Sequence, residues 1–283
     1  KWWSENYKKV AIAVITTLVV LLPLIVTIVR NPADSTARAG GTSFLNSSLN
    51  QGKPLQTLAV NTYKTIIQYN LVGDQNSRHN IPSQPLLNVF VGIAFVIGVL
   101  LACYYFKQLR YSTLLAILIV MMLPAAVSAE SMPHALRSIG TAVPVFVLSG
   151  VGINYMLQRW YQTFPLNTLA RVIGLLLILF LLGLTVVQGV KGYFWAWGQD
   201  PSTYAAYSED TTAIAKYLNS HVGGGDSYLV AGGYGAMPVE YLTHNRSQYK
   251  LITFEGARDL PISGAPKLII VPVGDQSQEI LDL

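Results

Sequence analysis

Two short polar segments hold most of the residues whose types suit chemistry. One is Gly73-Asp74-Gln75-Asn76-Ser77-Arg78-His79-Asn80-Ile81-Pro82, and the other is Glu130-Ser131-Met132-Pro133-His134-Ala135-Leu136-Arg137-Ser138-Ile139-Gly140. Each sets one histidine and one arginine within a few residues. An arginine guanidinium suits bidentate grip on a phosphate, and an imidazole adds a group that changes charge near neutral pH. Glu130, His134 and Arg137 are spaced by four and then three. If Pro133 opens a helical turn, His134 and Arg137 share a face. Glu130 is then placed either to orient His134 or to pair with Arg137. On residue types alone, snorkelling to lipid headgroups or a structural lock explains the same side chains. Two histidines and two carboxylates are present without a short metal motif, so a metal centre is the weaker reading here.

The elements that must position these segments are membrane helices. The chain is 52% hydrophobic and 12% charged, against about 25% charged in a soluble domain. Its charges collect between long uncharged stretches, as a bilayer requires. About 20 mostly apolar residues are needed to span. Five stretches qualify: 10–29, 86–106, 111–129, about 141–157 and about 169–190. Lysines and arginines concentrate in the short connections 1–9, 107–110 and 158–168, which predicts that these are cytoplasmic. The long connections 31–85 and 130–140, and the C-terminal segment, then face outward. The second and fourth spans run from outside to inside, so the positive ends of both helices point outward beside Arg78, His79 and Arg137. The expectation is an anion site at headgroup depth, its ligand a phosphate carried on a lipid.

The fold class expected is mainly α, a polytopic transmembrane helical bundle at 1–197 with a small extracytoplasmic α/β domain at 198–283. In the outward loop 31–85, residues 54–69 read as an interfacial amphipathic helix with Leu55, Leu58, Ala59, Thr62, Ile66 and Tyr69 on one face. In the C-terminal domain, 209–221 reads as a helix with Ala213, Ile214, Tyr217 and Leu218 on one side. Short strands are expected at 227–231, 250–254 and 267–271. Gly232-Gly233-Tyr234-Gly235 after the first strand reads as a tight turn in preference to a phosphate cradle, because the full dinucleotide fingerprint is absent. The single Cys103 reads as a small buried hydrophobe. The net charge of +5 is explained by loop cations beside a membrane, and no nucleic-acid partner is expected.

Arg78-His79-Asn80-Ile81-Pro82 leading to Pro85-Leu86-Leu87, and Pro133-His134-Ala135-Leu136-Arg137-Ser138-Ile139-Gly140 leading to Pro144, resemble the C-terminal half of prokaryotic GT-C superfold membrane glycosyltransferases. These are the protein-mannosyltransferase-like, dolichyl-phosphate-sugar-dependent enzymes. The order of spans, long outward loop, further spans and C-terminal domain is similar too, best over 1–190. The resemblance implies transfer of a sugar from a polyprenyl-phosphate donor on the outer face of the plasma membrane, to an unidentified acceptor. It implies an inverting displacement, with or without a divalent cation. The family's catalytic acidic residue maps to no position here, and the chain, which opens on Lys1, is expected to be the C-terminal part of a longer protein. Arg78, His79, His134 and Arg137 become the expected donor-phosphate residues. Asn80, Glu130 and Arg38 are expected in support, Glu130 by positioning His134. The alternatives are a membrane-anchored binding or scaffold protein, working through its C-terminal unit, and a lipid transporter subunit. The transporter would place ionisable residues deep within the spans, where this sequence has none.

Overall fold

The structure is a computed structural model and describes residues 2–32, 37, 40–220, 226–231, 235–244, 249–259 and 267–270. Two compact units divide the chain, Lys1–Gly189 and Val190–Leu283.

Small side chains at four-residue steps decide how the first unit packs. Helices α1 (Trp2–Arg30), α2 (Ser47–Asn50), α3 (Pro54–Ile67), α4 (Val89–Tyr104), α5 (Leu109–Ala126), α6 (Ala142–Thr163) and α7 (Thr168–Lys191) follow in order, with a 3-10 turn at Leu136–Thr141 before α6. Along α4, Ala94, Gly98 and Ala102 form one buried stripe. It faces Val145, Leu148, Ser149 and Gly152 of α6, also buried. A β-carbon added at Gly98 would fall 1.9 Å from the carbonyl oxygen of Leu148, and one at Gly152 would fall 1.9 Å from that of Ala94. The two backbones therefore touch, which is how membrane helices gain dispersion energy when burial from water supplies none. Tyr69, Leu87, Val91, Phe95 and Leu118 complete this core.

Among the described residues, four helices are long and apolar enough to cross a membrane: Asn6–Arg30, Leu109–Ala126, Leu136–Thr163 and Thr168–Trp197. The sequence predicts five, and the second is the exception. It forms a helix of only 16 residues, α4, about 24 Å long against a hydrocarbon core of about 30 Å. Its first residues are diverted. Leu86 and Leu87 donate backbone N–H groups to the carbonyls of Gln68 and Tyr69, and Asn88 then caps the helix by accepting from Val91 N–H at 2.9 Å. None of α1's spanning residues is buried by the rest of the described chain.

The helix α3 lies where the sequence predicts it, but its inward face differs. Asn61 and Thr65 are buried, as is Gln68 just beyond its end, while Leu55 and Ile66 are exposed. The inward side bonds to polar loop backbone, so it takes polar residues. Asn61 donates its amide to Ser128 O, and Gln68 donates to Ser138 Oγ at 3.1 Å. Tyr69 Oη and Thr141 Oγ1 are 2.7 Å apart. Burial raises the Tyr69 pKa above the ordinary phenol value, keeping it neutral.

The second unit is a small α/β layer. Strands β1 (Asp226–Val230), β2 (Lys250–Ile252) and β3 (Lys267–Ile270) form a parallel sheet in the order β2-β1-β3. Tyr228 is paired with Lys250 and with Ile269. The helix at Glu209–Ser220 turns Thr211, Ala215 and Leu218 inward, with Ile214 partly buried against the same core and Tyr217 exposed. Leu229, Val230 and Val239 are fully covered. Gly232, Gly233 and Tyr234 of the expected tight turn lie outside the described residues. Cys103, expected to be buried, is exposed.

Candidate functional site

The loop 73–84 is built from short-range bonds that its own residues dictate. Gly73 N–H donates to Ser83 O at 3.2 Å and Ser83 N–H to Asp74 O at 2.9 Å, closing the base. No side chain fits at Gly73, where a β-carbon would sit 1.8 Å from the carbonyl oxygen of Gln84. Asp74 Oδ1 accepts from Asn76 N–H at 2.8 Å, and Asn76 Oδ1 accepts from Arg78 N–H at 3.0 Å. These are two Asx turns in succession, the local habit of Asp and Asn. They curl the chain so that His79 Nδ1 returns to Asp74 Oδ2 at 2.9 Å. Asn80 donates to Gln84 O at 2.6 Å and braces the base.

The second loop is fixed from outside. An antiparallel bridge joins Ser43 to Ser128, Asn61 of α3 and Gln68 and Tyr69 just beyond it hold Ser128, Ser138 and Thr141, and Ala135 N–H donates to Asp74 Oδ2 at 2.8 Å. Asp74, only 1% exposed, therefore accepts two backbone N–H groups and an imidazole, and joins two loops 61 residues apart in the chain. Its carboxylate brings His79 over His134, with the rings stacked 22° from parallel and 4.6 Å between centroids. His134 is buried. Burial, then the nearby Arg137 and His79, lowers its pKa below the ordinary imidazole value and favours the neutral ring.

Arg137 stands at the edge of this cluster. Its Nη2 donates to Glu130 Oε2 at 2.8 Å. Its Nη1 is buried and has no hydrogen-bond partner. A buried guanidinium nitrogen without an acceptor is costly, so this is where an additional oxygen would be gained. A cavity of about 240 Å³ lies against Asp74, lined also by Gln75, Asn76, Ser131, Met132 and Pro133.

Of the residues expected from sequence, His79, His134, Arg137 and Glu130 come together. Glu130, expected to position His134, meets Arg137 instead, and the ring that receives a carboxylate is His79, from Asp74. Asn80 bonds backbone. Arg78 is exposed, and Arg38 lies outside the described residues. Asp74 is not among the site residues that the sequence predicts. Its Asx-turn spacing to Asn76 was visible, but its bond to Ala135 was not. Asp74, His79 and His134 each offer one ligand atom, and these atoms all lie within 4.8 Å of one another. Two imidazoles and a carboxylate are a donor set that first-row divalent cations accept.

Among known proteins, no family model, no curated protein and no solved structure matches this chain.

Proposed function

We propose that the chain is part of a membrane glycosyltransferase that takes a sugar from a polyprenyl-phosphate-linked donor, and that the Asp74–His79–His134–Arg137 centre receives the donor's phosphate. The observation that carries this reading is Arg137: one guanidinium nitrogen is held by Glu130, and the other is enclosed without an acceptor. A phosphate oxygen supplies that acceptor, and arginine's fixed fork suits it. The placement of the centre beside apolar helices long enough to cross a membrane favours a phosphate that arrives on a lipid. In this reading the loops and the second unit face outward, as the distribution of lysine and arginine predicts.

The chemistry the described residues offer is binding and orientation. Asp74 fixes the His79 ring, and His134 stays neutral and stacked against it. A divalent cation fits the Asp74, His79 and His134 donor set, and when bound it would supply positive charge beside the donor phosphate. Transfer of labelled sugar from a polyprenyl-phosphate donor, measured in membranes containing the protein, tests the reading. His79→Ala and Arg137→Ala are expected to lower transfer about 100-fold or more, the scale of losing a preorganised charge-stabilising contact. Transfer at the wild-type rate by folded variants would overturn it.

A further inference from the structure

A second charged cleft lies at the other end of the bundle. Helix α6 leaves the Asp74 centre at Ala142 and reaches Arg159 roughly 25 Å further along its axis, at 1.5 Å per residue. There the ends of α4, α5 and α6 enclose a cleft of about 450 Å³. Arg110 and Arg159 both line it, and no carboxylate does. Between Asp74 and Asp200 the sequence has a single acidic residue, Glu130, and that one is held by Arg137 at the first centre.

Both arginines are held by neutral groups. Arg110 donates Nε and Nη2 to Gln108 Oε1 at 3.1 and 2.9 Å and lies over the Tyr111 ring, 4.8 Å from its centroid. Arg159 donates Nε to Tyr155 Oη at 3.0 Å and lies 5.1 Å from the centroid of that ring. The neutral acceptors and the ring faces hold the two guanidiniums in place and leave their charge uncompensated. Leu101 and Val151 give the cleft an apolar side, continuous with helix surface where Leu100 and Val147 are exposed. Two oriented cations, neutral amide and phenol groups, and an apolar wall opening onto membrane-facing helices suit a phosphate ester with an attached hydrocarbon tail.

We infer that this cleft binds the phosphate group of an anionic phospholipid, seated between Arg110 and Arg159 with its acyl chains along α4 and α6. The inference does not rest on the function proposed for the Asp74 centre. It differs from general attraction of basic residues to a membrane surface, which acts wherever the residue stands along that surface.

The test uses the full chain reconstituted in vesicles of equal parts phosphatidylcholine and phosphatidylglycerol, then extracted with detergent and examined for retained lipid by native mass spectrometry. Wild type is expected to retain phosphatidylglycerol in preference to phosphatidylcholine. The pair Arg110→Gln and Arg159→Gln is expected to weaken retention about tenfold or more, as loss of one charged contact would. The pair Lys107→Gln and Arg171→Gln removes the same charge from residues that do not line the cleft, and is expected to leave retention unchanged. Equal losses from both pairs would overturn the inference in favour of a diffuse basic surface, as would wild-type protein that retains both lipids alike. Displacement of the lipid by millimolar inorganic phosphate would assign the cleft to a free phosphate and overturn the lipid source. All three proteins should keep the same unfolding temperature, because both arginines of the cleft are exposed.

Discussion

Replacing Asp74 tests whether the two loops form one centre. In Asp74→Ala, the N–H groups of Asn76 and Ala135 and Nδ1 of His79 lose their acceptor at once, from distances of 2.8, 2.8 and 2.9 Å. An unsatisfied buried donor costs about 1–3 kcal/mol. Asn76 is partly exposed, so water takes its place there; the other two donors would cost about 2–6 kcal/mol if fully buried, and because His79 and Ala135 are themselves only half-buried the net loss is about 2–4 kcal/mol. For a unit of this size that lowers the unfolding temperature by about 5–15 °C. Asp74→Asn keeps the shape and one acceptor but turns an NH₂ toward a backbone N–H, so its loss is about half as large. Unfolding in detergent reads the stability. Spin labels at Gln75 and Ser131, in a Cys103→Ser background, read the separation of the loops. The chain's single cysteine is Cys103, and it is exposed, so this background disturbs little. The expected result is a broadened distance distribution in the alanine variant, intermediate in the asparagine variant. Stability and loop separation unchanged in Asp74→Ala would refute the account of Asp74 as the joint.

The helix contact gives a second prediction. Gly98→Leu drives a side chain into the Leu148 backbone and should cost about 1–3 kcal/mol as overpacking does, read as a lower unfolding temperature, while Gly150→Leu, with open space at its β-carbon, should be neutral. A third concerns metal. Wild type exposed to zinc should retain about one equivalent after gel filtration by elemental analysis, and His134→Ala or His79→Ala should retain much less. A fourth concerns pH in chelator-treated protein. His134 has a folded pKa below the ordinary 6.5, so the unfolded chain binds more protons between the two values, and stability must fall as pH drops below about 6.5. The unfolding temperature measured from pH 7.5 to 5 should show that decline, and His134→Gln should flatten it.

What the sequence made legible depended on how far apart the interacting residues lie. Charge-free stretches placed the helices, because burial in lipid acts on every residue of a span. The 16-residue length of α4 was not legible, since it follows from pairing of Leu86 and Leu87 with the end of α3, and that pairing depends on where α3 sits. The apolar residues of α3 predict one inward face. The structure instead buries Asn61, Thr65 and Gln68, whose partners Ser128 and Ser138 lie far along the chain. The same limit governs the centre. Histidine and arginine types marked both loops, and the spacing of Glu130 to Arg137 allowed the observed pair. Asp74 carried only a local turn signal, while its importance comes from Ala135 and from the stacking of two rings supplied by different loops. The parallel strands of the second unit were visible as short apolar runs, and their order β2-β1-β3 was not.

The most direct measurement of the central claim is donor binding, because it needs neither the acceptor nor the catalytic step. Polyprenyl phosphate is titrated into nanodisc-embedded protein and followed by native mass spectrometry, for wild type and for Arg137→Ala. The account predicts binding to wild type that weakens about tenfold or more in Arg137→Ala, one charged contact being worth at least that. Both proteins carry Arg110→Gln and Arg159→Gln, so that the distant cleft, which would also take a phosphate with a hydrocarbon tail, adds nothing to the binding read. Equal binding by wild type and Arg137→Ala, with both proteins folded, would contradict it.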